Sequence, residues 1–171
     1  MKHAKYLFLG IFCSAMVFSC GNAGVQIKVG GDYETDFNAS QAGLEFASSF
    51  NESSSTTVNS EISDYGDLIM ELEVNSLVVT LRNFRENLPN TLTGEVNVNA
   101  NGIDFNSGNV SLFDGAVIPL IASQSDLNNL SNALRSRDVN ISLGINADGP
   151  FGDNNFDIEL AINALATVKV D

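Results

Sequence analysis

Histidine is nearly missing from this 171-residue chain: the one copy is His3. Cysteine occurs twice, as Cys13 and Cys20, and tryptophan not at all. Beyond residue 20 there is neither an imidazole nor a thiol. That excludes a Ser-His-Asp or Cys-His nucleophile, and any zinc site built on His or Cys. Tyr33 and Tyr65 are the only tyrosines past residue 20, so stacking platforms for sugars or bases are poorly supplied. No GxGxxG or GxxxxGK[ST] run occurs, and no other motif calls for a cofactor. Positive charge is scarce too. Eight Lys and Arg stand against 21 Asp and Glu, a formal net charge of −13. Such a chain repels nucleic acid, and no basic stripe argues otherwise.

The N-terminus is more informative. Lys2, His3 and Lys5 form a short positive segment, and Tyr6 to Phe18 is almost unbroken apolar sequence. That run is too short for a helix crossing ~30 Å of hydrocarbon, and it fits a secretory leader. The leader ends in Val17-Phe18-Ser19-Cys20. This stretch resembles the lipobox of bacterial lipoproteins, with an aliphatic residue three before the cysteine and a small one just before it. The resemblance implies cleavage between Ser19 and Cys20, acylation of Cys20 and attachment to a membrane through that lipid. It also gives a lone thiol a purpose. Gly21 follows where an acidic residue would retain such a protein at the inner membrane, so the outer membrane is expected. Cleavage there takes 19 of the 171 residues and leaves 152, with 21 acids against six bases. Residues 1–19 thus read as leader, 20–24 as lipidated tether and 25–171 as one domain large enough for its own core.

Within that domain the dominant period is two. Residues 25–37 place Val25, Ile27, Val29, Tyr33 and Phe37 on one face, with Gly30-Gly31 an expected bulge or bend. Leu44, Phe46 and Phe50 suit either a strand or a short helix that caps the core. Residues 51–61 read as a loop or as a polar edge strand near 56–62. In 67–84, Leu68, Met70, Leu72 and Val74 share a face, and parity then shifts to Leu77, Val79 and Leu81, which predicts a bulge or a break at Asn75-Ser76. Val96, Val98 and Ala100 lead to Asn101-Gly102, a hairpin signal, and the return strand runs through Ile103, Phe105, Val110, Leu112 and Phe113. Pro119 confines residues 116–121 to an edge or an end. Residues 123–137 predict the one helix, capped by Ser123 or Ser125, with Leu127, Leu130 and Leu134 as a core stripe. Strands at 139–147 and 156–170 follow, joined by a turn. The sum is a mainly β chain: an antiparallel β-sandwich of seven or eight strands with one late helix. From about residue 74 the order is similar to the late-embryogenesis-abundant type 2 (water-stress hypersensitive) domain. The residues behind that likeness are LEVNSLVVTLRNF, TGEVNVNANGI, the helix and the strand after RSRDVNISLGI. It implies the same sandwich.

Candidate sites are few. Asp32, Glu34 and Asp36 share a strand face, about 7 Å apart per step. Asp148, Asp153 and Asp157, with Asn154 and Asn155, crowd the turn 146–157 and are weak candidates for Ca²⁺. They lack the spacing of a calcium hand, and a plain turn is the simpler reading. Glu71, Glu73, Asp157 and Glu159 supply carboxylates, but on outward faces and without aromatic platforms for a glycoside. The sequons at Asn38, Asn51, Asn109, Asn129 and Asn140 are what an Asn-rich chain produces by chance. We expect no enzyme. The first reading is a membrane-anchored envelope module that binds a protein partner. A periplasmic carrier of lipid is the alternative, with Ala161, Ala164 and Ala166 leaving room for a ligand. A subunit that donates its C-terminal strand is a third.

Overall fold

Alternating side chains become a fold only when the strands that carry them find partners. The computed structural model describes residues 25–40, 43–56, 68–84, 92–135, 139–152 and 155–170. These form eight strands: β1 (Val25–Ser40), β2 (Ser49–Thr56), β3 (Ile69–Arg82), β4 (Leu92–Ala100), β5 (Ile103–Leu112), β6 (Val117–Pro119), β7 (Val139–Ala147) and β8 (Asn155–Val170). One helix, α1 (Gln124–Arg135), lies between β6 and β7, and a 3-10 turn occupies Leu44–Phe46. The leader, the tether and the expected strand beyond Thr56 lie outside the described residues.

The pairing has one rule. β1 pairs with β8, β2 with β7, β3 with β6 and β4 with β5, all antiparallel. The chain is therefore one long hairpin with its tip between β4 and β5. Rolling that hairpin brings β3 onto β8 and β4 onto β7. Two four-stranded sheets result, in the orders β1-β8-β3-β6 and β2-β7-β4-β5. This is the eight-stranded jelly roll, a form of the expected antiparallel sandwich.

Most expected faces hold. Leu72, Val74, Leu77, Val79 and Leu81 of β3 are buried against Val139, Ile141, Leu143 and Ile145 of β7 and the even residues of β8 from Phe156 to Val168, in one core. The shift at Asn75-Ser76 is there, as a break in the β3–β8 register between Val74 and Ser76. Asn101 (φ 51°) and Gly102 (φ 83°) make the β4–β5 turn, both with the positive φ that a tight hairpin requires. Pro119 ends a three-residue edge strand that pairs only with β3. Ser123 caps α1: its hydroxyl accepts from the Asp126 amide at 3.2 Å while the Asp126 carboxylate accepts from the Ser123 amide at 3.3 Å. Leu130 and Leu134 are buried and Leu127 half-buried, so the stripe is core.

Four expectations need correction. Gly30-Gly31 is no bulge, because the β1–β8 register runs unbroken from Val25 to Ser40. The missing side chain at Gly30 instead leaves space beside Leu165. Leu68 and Met70 do not join the face of Leu72: an unforeseen register break between Ile69 and Glu71 gives the core place to Ile69 and leaves both exposed. A second unforeseen break lies opposite Ser107-Gly108. There the Ser107 hydroxyl accepts from the Val96 amide at 2.9 Å and donates to the Gly108 carbonyl. Parity then changes along β5, so Leu112 is buried and Phe113 is exposed. The turn 148–154 is more than a turn, since Phe151 is fully buried, with its amide bonded to the Ala47 carbonyl.

Phe151 belongs to a four-ring cluster that plugs one end of the sandwich. Phe156 sits at its centre, 4.9 Å from Phe84, 5.5 Å from Phe151 and 6.0 Å from Phe50 between ring centroids. Phe84 meets Phe156 edge-on, an arrangement that stabilises beyond area alone. Asn83 makes this possible: its φ of 58° turns the chain, so that Phe84 points inward where simple alternation would point it out.

Two consequences are testable by urea unfolding. Phe156→Ala removes the ring that joins both sheets and should cost about 3–5 kcal/mol. A Cβ at Gly94 would stand 2.5 Å from the Asn146 carbonyl oxygen and 2.8 Å from Ala147 Cα, both backbone atoms of β7. Gly94→Ala should therefore cost about 1–3 kcal/mol by overpacking. Gly30→Ala, which meets only the tip of Leu165 at 4.0 Å, should shift stability by no more than about 0.5 kcal/mol. Equal midpoints for the two glycine variants would refute the close approach at Gly94.

Candidate functional site

The largest concentration of polar chemistry is the outer face of the sheet β1-β8-β3-β6. Period-two alternation puts Asp32, Glu34, Asp36 and Asn38 of β1 on it, then Asp157, Glu159, Ala161, Asn163 and Leu165 of β8, then Glu71, Glu73, Val78, Thr80 and Arg82 of β3. Register decides what each carboxylate meets. Asn38 faces Asp157, Asp36 faces Glu159, and Asp32 faces Asn163. On the other flank Arg82 faces Asp157, Thr80 faces Glu159 and Val78 faces Ala161.

Three of these acids are held by specific donors. Asp157 accepts from the side-chain amides of Asn38 at 2.7 Å and Asn83 at 2.6 Å, one on each oxygen. Asp32 accepts from Asn163 at 2.8 Å, and Asn163 in turn accepts from Asn75 at 3.4 Å. Glu159 pairs with Arg82 at 2.5 Å, with Arg82 mostly exposed, so that ion pair stabilises little. Asp36 adds a like charge opposite Glu159, which opposes pairing. The arrangement makes a rigid face of fixed negative charge.

Of the calcium candidates around the 146–157 turn, Asp148 and Asp157 are engaged by donors of the fold itself. Asp148 directly follows β7 and is tied to β4: its two oxygens accept from the Thr93 amide at 3.1 Å and hydroxyl at 2.7 Å. The Asp148 amide completes the exchange with the Thr93 carbonyl at 2.8 Å. Asp157 stands on the other sheet with both oxygens engaged. Asp153 and Asn154 lie outside the described residues. Among the described residues no group of three or more His, Cys, Asp or Glu is placed to hold a metal.

Nor do the other carboxylates converge. Glu73 faces Leu165, six residues along β8 from Glu159, roughly 20 Å away and beyond any glycosidase spacing. Asp157 and Glu159 are neighbours, but amides hold one and a guanidinium the other. Ala161, Ala164 and Ala166 do not share a face. Ala164 and Ala166 are buried in the core, while Ala161 lies on the outer face between Glu34 and Val78. Ser19 and Cys20 lie outside the described residues.

What sequence reasoning missed are the neutral partners: Asn38, Asn83, Asn163 and Thr93. Their signal was present in part, as Asn38 and Asn163 at outward strand positions. Which carboxylate each would meet depends on pairing between segments 55 to 131 residues apart.

No family model matches the chain, and no curated protein does. Among solved structures it is similar to a chain of Desmodium yellow mottle tymovirus, at 15% identity and a TM-score of 0.39, covering 100% of this chain and 98% of that one. It is also similar to a chain of turnip yellow mosaic virus, at 14% identity and a TM-score of 0.35, covering 92% and 88%. A third is a chain of mud crab tombus-like virus, at 11% identity and a TM-score of 0.35, covering 99% and 94%. Likenesses at this level do not bear on function.

Thr93 also makes Asp148 titrate abnormally. Its hydroxyl and amide stabilise the ionised form and hold the carboxyl below its ordinary value. A depressed folded pKa contributes stability above the unfolded pKa and loses it as pH falls through the folded one. Asp148→Asn should therefore be less stable than wild type at neutral pH. The gap between their urea midpoints should narrow as pH falls below the ordinary aspartate range. A gap that stays constant with pH would show that the carboxylate charge plays no part.

Proposed function

We propose that this chain is a lipid-anchored lipoprotein of the cell envelope whose sandwich acts by contact and not by catalysis. The observation that carries the reading is Cys20 of Val17-Phe18-Ser19-Cys20, which closes a leader-like run five residues before β1. Two or three acyl chains, at ~0.8 kcal/mol per buried methylene, hold such a domain on a membrane almost irreversibly. Gly21 favours the outer membrane. The contact role draws support from the outer face of sheet β1-β8-β3-β6. Its acids are fixed by cross-strand donors, as suits a surface that presents charge without moving it. A protein partner in the envelope is the expected occupant.

The two alternatives gain less from the geometry. A lipid carrier needs room between the sheets, and the inward positions of β3, β7 and β8 are filled by side chains packed in one core. A strand donor would give up β8, which is already paired with β1 on one side and β3 on the other.

Radiolabelled palmitate tests the anchor. Wild type should take up label and fractionate with the outer membrane, and Cys20→Ala should do neither. Equal labelling of the two, or no label in wild type, would sink the reading.

A further inference from the structure

We infer that the end of the sandwich where β1 starts rests against the membrane surface, with Ile27, Leu68 and Met70 in the headgroup region and Lys28 and Lys169 facing anionic lipid. The inference rests on the anchor at Cys20 and adds an orientation to it.

The two ends of the sandwich differ. One is closed by the rings of Phe50, Phe84, Phe151 and Phe156. At the other, Ile27, Val168 and Ile69 form one row across β1, β8 and β3. There Ile27 shares the inward parity of the core yet is 37% exposed, and Leu68 and Met70 are each 47% exposed. The register break between Ile69 and Glu71 is what turns Met70 outward. Apolar side chains are thus grouped where the core would otherwise be capped.

Charge is sorted the same way. Of the described cations Lys28, Arg82, Arg135 and Lys169, Arg82 sits toward the plugged end, paired with Glu159. Both lysines lie at the open end: Lys169 faces Gln26 and Lys28 faces Thr167. Glu71, also facing Thr167, is the acid in that row. In a chain of net charge −13, two lysines flanking an exposed apolar group are a local exception, and they match an anionic interface.

Tether length supplies the occupant. Cys20 precedes Val25 by five residues, a reach of at most ~18 Å. Acyl chains on Cys20 therefore hold this end, and not the plugged one, near the headgroups. Other exposed apolar side chains do not share this position. Val117 stands beside Thr80, in the row of Glu159 and Asp36 toward the plugged end.

The test uses the full lipidated chain in vesicles of phosphatidylethanolamine and phosphatidylglycerol. Single cysteines at Leu68→Cys, Met70→Cys and Phe46→Cys carry an environment-sensitive fluorophore, and a doxyl-labelled phospholipid serves as quencher. Phe46 is the control, since it is 83% exposed and adjoins the plugged end, where Glu45 accepts from the amide after Phe151. Quenching at residues 68 and 70 should exceed that at 46 by about threefold or more. Equal quenching at all three sites, or none at 68 and 70 on a chain that floats with the vesicles, overturns the orientation and leaves the anchor standing. Intact mass reads the anchor separately, and a chain without acyl groups overturns both.

Discussion

The structure depends on β8. This last strand is the second of its sheet, paired along nearly its whole length with β1 on one flank and β3 on the other. Its inward residues run from Phe156 through Ile158, Leu160 and Ile162 to Val168, each almost wholly buried. Neither flank can form a sheet without it, because among the described residues β1 has no other strand partner and β3 pairs with β6 over only three residues. The first strand must therefore wait for the last. Contacts of such sequence separation close large loops before they stabilise anything, and folds built on them are slow to form. The hairpin at Asn101-Gly102, at the tip of the rolled chain, is the local structure available early.

Much of this was legible in the sequence because a period of two is a local property. The buried faces of β4, β7 and β8, the hairpin and the helix stripe could each be read from a dozen residues. The misread places share a different cause. Met70 and Ser107 sit at register breaks, where an extra residue reverses the alternation and only the opposing strand shows it. Phe151 lies among Gly, Pro, Asp and Asn, all turn formers, and is buried because Phe84 and Phe156 arrive from two other segments. The roll itself follows from which strands pair, and alternation alone does not encode pairing. Of the candidate site, the carboxylates were legible and their partners were not.

Three of the four sheet edges carry features that discourage another strand. β6 is short and ends in Pro119. β5 is bulged at Ser107-Gly108 and bridged by Ile121 across Asn106. β2 carries Glu52 at the inward parity of Phe50, with one carboxylate oxygen buried and without a partner, and an inward charge on an edge discourages another strand from docking. α1 covers part of β3: the Val74 amide donates to the Ser131 hydroxyl at 2.9 Å, and that hydroxyl donates to the Leu127 carbonyl. An amide directed away from β8 is thereby satisfied by the helix. These devices oppose strand addition at β6, β5 and β2, whereas β1, the fourth edge, runs without a bulge from Val25 to Ser40.

The acidic face shows how so unbalanced a chain stays folded. Opposite charges could have neutralised the carboxylates, but cations are too few. Asparagine does something different. Asn38, Asn83 and Asn163 donate to Asp157 and Asp32 without cancelling their charge, so the acids are fixed in place while the face stays negative. Hydrogen bonds of this kind are short-range and depend little on salt, whereas the Arg82–Glu159 pair is screened. The negative field survives because the donors that hold it are neutral. Lys28 and Lys169 stand outside this ladder, at the end where β1 begins, and the same economy of positive charge that makes the face acidic makes that end distinct.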